Sequence, residues 1–141
     1  MSFEFRQATE SDKSYFLGLR KSTMLEHLER EGIILSEEDH LERVNHEYGH
    51  SFIVLFNNEL VGVLKYLSTV SEVELIQIQI EPQHQGKGYG SGIIQKILND
   101  EKGKIVRLKV LKNSPAVKFY KRLGFKIVGE DNLEYHMKNE H

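Results

Sequence analysis

The chain has 141 residues, 39% of them apolar and 28% charged, no cysteine, and a formal net charge of −2 at neutral pH. That length suits one domain able to bury its own core, since about 150 residues bury roughly 70% of the unfolded surface. The missing cysteine excludes disulfides, thiolate metal sites and a cysteine acyl-enzyme, no apolar run nears the ~20 residues of a membrane-spanning helix, and the charge speaks against a general nucleic-acid or membrane-surface binder. Met1 to Arg6 lacks the basic start, apolar stretch and cleavage site of a secretory signal, so the expected location is cytoplasmic.

Phe3, Phe5 and Gln7 alternate with Glu4 and Arg6 up to Ala8, which predicts a strand. Thr9 to Asp12 is a helix-starting cluster, and Phe16, Leu19, Met24, Leu25 and Leu28 recur at helical spacing before Gly32. Ser36 to Asp39 opens a second helix, expected to run to Tyr48 and stop at Gly49. Two strands follow, Ser51 to Phe56 and Leu60 to Leu67, around a tight Asn57-Asn58-Glu59 turn, then a third from Val73 to Glu81, stopped by Pro82. Glycines 86, 88, 90 and 92 lead into a helix through Ile93, Ile94, Ile97 and Leu98. Lys104 to Leu111 is strand-like, Ser114 to Leu123 helix-like with Pro115 in its first turn and Gly124 as its stop, and strands at 125–129 and 133–138 complete the pattern. With no repeat or linker, this βααβββαβαββ order describes one mixed α/β domain over residues 1–141.

The strand, the glycine run and the helix start come in immediate succession. Such a junction leaves a nest of free backbone N–H groups with the positive end of the helix dipole behind it, which is a cradle for a diphosphate. Glycines suit it because side chains would hold ligand oxygens off the amides and because glycine tolerates positive φ. The same turn also serves as an ordinary strand-to-helix connection. Neither Gly-x-x-x-x-Gly-Lys-[Ser/Thr] nor Gly-x-Gly-x-x-Gly can be read in it, so neither a P-loop nor a dinucleotide fingerprint fits.

Gln85-Gly86-Lys87-Gly88-Tyr89-Gly90 resembles the [Gln/Arg]-x-x-Gly-x-[Gly/Ala] signature of the GNAT superfamily of N-acetyltransferases, and Ile80-Glu81-Pro82 precedes it as in that family. Downstream, Asn113 to Phe125 is similar to the family's second motif, Asn-x-x-Ala-x-x-x-Tyr-x-x-x-Gly-Phe. The resemblance covers the chain, although Met1 to His50 shares only the organisation. It implies a central, largely antiparallel sheet splayed between strands four and five, with helices on both faces, and acetyl-CoA as co-substrate. The amides of Gln85, Gly86, Lys87, Gly88, Tyr89, Gly90 and Ser91 would hold its pyrophosphate, main-chain groups of Ile78 and Ile80 its pantetheine, and Asn113 would lie near it.

The implied reaction is transfer of the acetyl group to a primary amine by direct attack in a ternary complex, without an acyl-enzyme or a metal. Tyr120 matches the family's frequent general acid, against a plain reading as a core aromatic beside Phe119. Glu74, eleven residues before Gln85, stands where the family often places a base; it also reads as a strand-surface carboxylate or a partner of Lys65. The Ile78 peptide N–H would face the oxyanion. Lys87, Lys118, Lys121 and Arg122 could steer an anionic coenzyme or lie on solvated surfaces. Gln77 and Gln79 give strand four a polar face suited to an acceptor pocket, and His84 reads as a turn histidine. The acceptor is a small-molecule or protein amine; Glu26, Glu29, Glu31, Glu37, Glu38 and Asp39 would suit a cationic one, although helix-start acids explain half of them. Homodimers occur in the family and are left open. The alternative from another class is a non-catalytic coenzyme-A-binding module. His46-Glu47-Tyr48-Gly49-His50 also spells the His-Glu-x-x-His zinc motif, but with His50 past the expected helix end its two imidazoles would not share a helix face.

Overall fold

The structure, a computed structural model, describes residues 2–30, 32 and 35–140, the side chains of residues 24–30 aside. The elements run β1 (Phe3–Gln7), α1 (Lys13–Arg30), α2 (Glu37–Asn45), β2 (Ser51–Phe56), β3 (Glu59–Ser68), β4 (Glu72–Ile80), α3 (Tyr89–Asp100), β5 (Ile105–Leu111), α4 (Ala116–Arg122), β6 (Lys126–Glu130) and β7 (Glu134–Asn139), in the expected order. The strands form a seven-stranded sheet, β1-β2-β3-β4-β5-β7-β6, antiparallel at β1–β2, β2–β3, β5–β7 and β6–β7 and parallel at β4–β5. Among the described residues no helix is long and apolar enough to cross a membrane.

Local chemistry explains most boundaries. Ser36 Oγ accepts the Asp39 amide at 3.1 Å while the Asp39 carboxylate accepts the Ser36 amide at 3.0 Å, a reciprocal cap that starts α2. Asn57 and Asn58 both take positive φ, 50° and 69°, the hand a two-residue hairpin turn needs. The far end of α2 departs from expectation: the helix stops at Asn45, not near Tyr48, and Glu47 rather than Gly49 adopts the left-handed conformation, at φ 53°. The cause is Lys65 of β3, whose Nζ donates to the carbonyls of Arg43 (3.0 Å), Val44 (3.0 Å) and His46 (2.5 Å). Those are the carbonyls a helix end leaves without intrahelical donors.

By contacts the chain gathers into two compact units, residues 1–65 with 77–92 and residues 66–76 with 93–141. In the first, Phe16 and Leu19 of α1 and Val44 of α2 pack on Ile53 of β2 and Val63 of β3. Strand alternation puts Phe3 and its partner Phe56 on the opposite face. There the first turn of α3 meets them, with the Tyr89 and Phe56 ring centroids 4.8 Å apart, so helices cover both faces. In the second unit, Val73 and Leu75 of β4, Val106 and Leu108 of β5 and Met137 of β7 are buried. The β4–β5 ladder runs only from Glu72–Ile105 to Leu75–Leu108, although β4 continues to Ile80 and β5 to Leu111.

Candidate active site

In the first unit β4 leads through a 3₁₀ turn at Pro82–His84 into the glycine run. The Gln85 amide closes that turn on the Pro82 carbonyl at 3.3 Å, and the Gln85 side chain donates to the Ile80 carbonyl at 3.1 Å. Gly86 and Gly88 both take φ +80°, and a Cβ on either would meet nothing within 4 Å. The first helical bond of α3 is Gly92 N–H to Gly88 O, at 3.1 Å. Among the described residues the amides of 86–91 therefore donate to no backbone carbonyl. The result is a row of free donors, backed by a helix N-terminus and open on its ligand side. The sequence reading began the row at Gln85; here the Gln85 amide is spent on the turn and its side chain braces the end of β4.

Two features hold this loop against the strand. Gly62 of β3 lies so close to β4 that a Cβ there would be 2.2 Å from the Gln79 carbonyl oxygen, and the Glu81 amide bonds the Val61 carbonyl at 2.9 Å. His84, expected as a turn residue, is buried: its Nε2 lies 3.1 Å from Glu59 Oε1 and its ring 5.9 Å from that of Tyr89. It supports the loop from beneath. Gln77 and Gln79 are buried too, and Gln77 Nε2 donates to Gln79 Oε1 at 2.9 Å. Lys87 is exposed.

The second unit carries the other sequence-predicted residues. Glu74 is exposed and sits opposite Arg107 in the paired part of the β4–β5 ladder, while Arg107 Nε donates to Glu72 at 3.1 Å. Lys65 spends its donors on α2, so it is no partner for Glu74. Asn113 follows β5 in a turn closed by Ser114 N–H to Leu111 O, at 3.0 Å. Tyr120 is buried on α4 with its ring edge-on to Phe119 and Phe125 at 5.2 and 5.5 Å, and burial pushes its hydroxyl up to about 12. Its ring is core, as the plain reading held, and its hydroxyl stays protonated near neutral pH as a donor. Lys118, Lys121 and Arg122 are exposed.

Four inward polar residues of the first unit stand out, Lys65 read in the sequence only as a partner of Glu74 and the others left unassigned. Burial, and then the Glu81 carboxylate, push the pKa of the Tyr15 hydroxyl up. Arg20 and His40 are buried side by side, with Arg20 Nε 3.3 Å from His40 Nδ1. Burial and then the Arg20 charge lower Lys65 to about 8. Helical spacing could have put Tyr15 and Arg20 beside the Phe16–Leu19 stripe, but not told which polar neighbours turn inward. The zinc-like motif does not assemble: His46 lies just past the end of α2 at Asn45, Glu47 is left-handed and His50 lies in a 3₁₀ turn. Among the described residues no group of three or more His, Cys, Asp or Glu is placed to hold a metal.

A mostly antiparallel sheet with one parallel pair that parts early, and an amide cradle where the fourth strand meets a helix, define an acyltransferase of the mixed α/β class. The chain belongs to the acetyltransferase (GNAT) domain family, which it matches over residues 47–127. No curated protein matches it. Among solved structures it is similar to an acetyltransferase from Thermus thermophilus, with TM-score 0.78, 16% identity and 100% and 98% of the two chains covered. It is also similar to the PaiA N-acetyltransferase from Thermoplasma acidophilum, with TM-score 0.69, 21% identity and both chains wholly covered. A third likeness is to PH1933 from Pyrococcus horikoshii OT3, with TM-score 0.73, 17% identity and 99% of each chain covered. At these identities the likeness establishes the fold.

Proposed function

We propose that residues 1–141 act as one domain that transfers the acetyl group of acetyl-CoA to a primary amine by direct attack in a ternary complex. The observation that carries this is the row of unpaired amides at 86–91, with Gly86 and Gly88 at φ +80° and the start of α3 behind it. That donor set fits a pyrophosphate, and the PaiA relative was solved with coenzyme A. The coenzyme supplies an acetyl group activated as a thioester. Main-chain groups of Ile78 and Ile80 take its pantetheine arm, and Asn113 lies beside it.

An amine of pKa ~10.4 is about three units from its reactive neutral form at pH 7, a cost of roughly 4 to 5 kcal/mol that a base and a dry site offset. Glu74 is the proposed base, directly or through water. The Ile78 N–H stabilises the oxyanion that forms as the amine adds. Tyr120, with its pKa near 12, holds its proton and donates a hydrogen bond to the departing sulfur. Melting the protein with and without acetyl-CoA, then following thiol release across a panel of amines, tests this reading. A ligand at ~100 times its Kd adds about 2.7 kcal/mol, so a shift of several degrees is expected. No shift at saturating acetyl-CoA would refute it, and a shift without release from any amine would make the chain a coenzyme-binding module.

A further inference from the structure

α1 and α2 enclose a set of cations with little to balance them. Arg20 is only 8% exposed and Lys65 is fully buried. The Lys65 ammonium has three donors and spends them on the three carbonyls at the end of α2, which satisfies it. Arg20 is different. Its Nε donates to His40 Nδ1, and burial and Arg20 together hold His40 in the neutral form that can accept. Among the described residues no acceptor meets the terminal nitrogens of the guanidinium. The nearby acids are occupied: Glu37 pairs with Lys21 at 2.6 Å and Asp39 caps α2. The charge that Arg20 feels most is that of another cation, Arg43.

A buried arginine without a carboxylate is rare because desolvating its charge is costly and it cannot shed its proton. The atoms that are both enclosed and unpartnered among the described residues are Tyr15 Oη, Ser51 Oγ and His84 Nδ1. The guanidinium nitrogens are not among them, so the unpaired fork, on a side chain only 8% exposed, is not wholly shut off from solvent. Its place on the sheet matters as well. β3 and β4 run antiparallel, joined at Val61–Glu81 and again at Thr69–Glu72. The register between these two bonds slips by one residue, so Lys65, the neighbour of Arg20, falls opposite the 76–77 stretch of β4. Gln77 adjoins Ile78, whose peptide N–H is the proposed oxyanion donor.

We propose that the Arg20 fork binds a carboxylate on the acceptor, so that the amine acetylated here belongs to an amino acid or a molecule of that kind. This rests on the acetyltransfer reading above, and it reverses the preference for a cationic acceptor drawn from Glu37, Glu38 and Asp39 of α2 and from Glu26, Glu29 and Glu31, whose side chains lie outside the described residues. A planar, bidentate guanidinium fits a carboxylate and gives it a fixed orientation.

The test compares amines that differ only in the carboxylate, lysine against cadaverine and tyrosine against tyramine, in the wild type and in Arg20→Gln. The amino acid is expected to exceed its decarboxylated partner in kcat/KM by roughly 10- to 100-fold, the worth of hydrogen bonds to a charged group. Arg20→Gln should erase that preference by raising the KM of the amino acid, leaving the decarboxylated amine and the acetyl-CoA melting shift as they were. Equal or better turnover of the decarboxylated amines by wild type, or an equal loss for both members of each pair in Arg20→Gln, overturns the proposal. Should the variant not fold, melts of the wild type in lysine against cadaverine at equal ionic strength decide it: a higher Tm in lysine supports the carboxylate site, and no difference refutes it. Failure of the acetyltransfer reading itself shows separately, as the absence of any acetyl-CoA shift or as a shift without thiol release from any amine.

Discussion

Gly88→Ala separates the cradle from a plain strand-to-helix turn. Gly88 takes φ +80°, and an added Cβ meets no protein atom within 4 Å. The fold therefore bears only the left-handed strain of an L-residue, about 1–2 kcal/mol, partly offset by roughly 0.4–1 kcal/mol from a less flexible unfolded chain. With about 2.1 cal/mol/K of unfolding entropy per residue, 1 kcal/mol moves the Tm of a chain this size by about 3 °C. The coenzyme suffers more. If relaxing the strain turns one amide away from the pyrophosphate, the loss of a hydrogen bond to a charged group costs about 1.5–3 kcal/mol and weakens binding roughly 10- to 150-fold. Gly103, in the turn before β5, provides the control, with φ +92° and likewise nothing within 4 Å of an added Cβ. Gly103→Ala should lower the Tm about as much and leave acetyl-CoA affinity unchanged. Melting curves and calorimetric titration with acetyl-CoA read both quantities. Equal coenzyme affinities in the two variants would refute the cradle.

Three more expectations follow from the same geometry. Gly62→Ala puts a Cβ 2.2 Å from the Gln79 carbonyl oxygen, so β3 and β4 must part; overpacking costs about 1–3 kcal/mol or more, a Tm loss of at least about 3 °C, and an unchanged melt would mean that β4 yields freely. Tyr120→Phe and Glu74→Gln should each lower kcat by about 10²-fold, with acetyl-CoA binding preserved by titration; a less than twofold effect in Glu74→Gln would return Glu74 to the strand surface. Lys65, lowered to about 8, is charged in both folded and unfolded chains below that pH, so its burial cost is fully present there. Between pH 8 and ~10.4 the folded chain holds fewer protons, and stability rises with pH by at most about 3 kcal/mol. Lys65→Met lacks this rise; parallel pH–melting curves for the two proteins would show that the carbonyls of α2 keep the ammonium charged.

The order of elements was legible because each is written in near-neighbour chemistry. Alternation marks β1, the Ser36–Asp39 pair starts α2, and the two asparagines of the β2–β3 turn accept the left-handed backbone. The cradle was legible for the same reason, since glycines between a strand and a helix leave amides free whatever surrounds them. What the sequence hid depends on partners brought from afar. α2 ends at Asn45 because an ammonium from β3 caps it, and nothing within α2 announces that. His84 is buried because Glu59 and Tyr89 meet it, and the Gln85 amide is lost to a turn that Pro82 begins. Arg20 was left unassigned by the sequence, readable as helical core or as a solvated face. Only the packing of α1 against α2 and β3 shows that it is buried with its fork unpaired, because a side chain's solvation is set by whatever crosses over it.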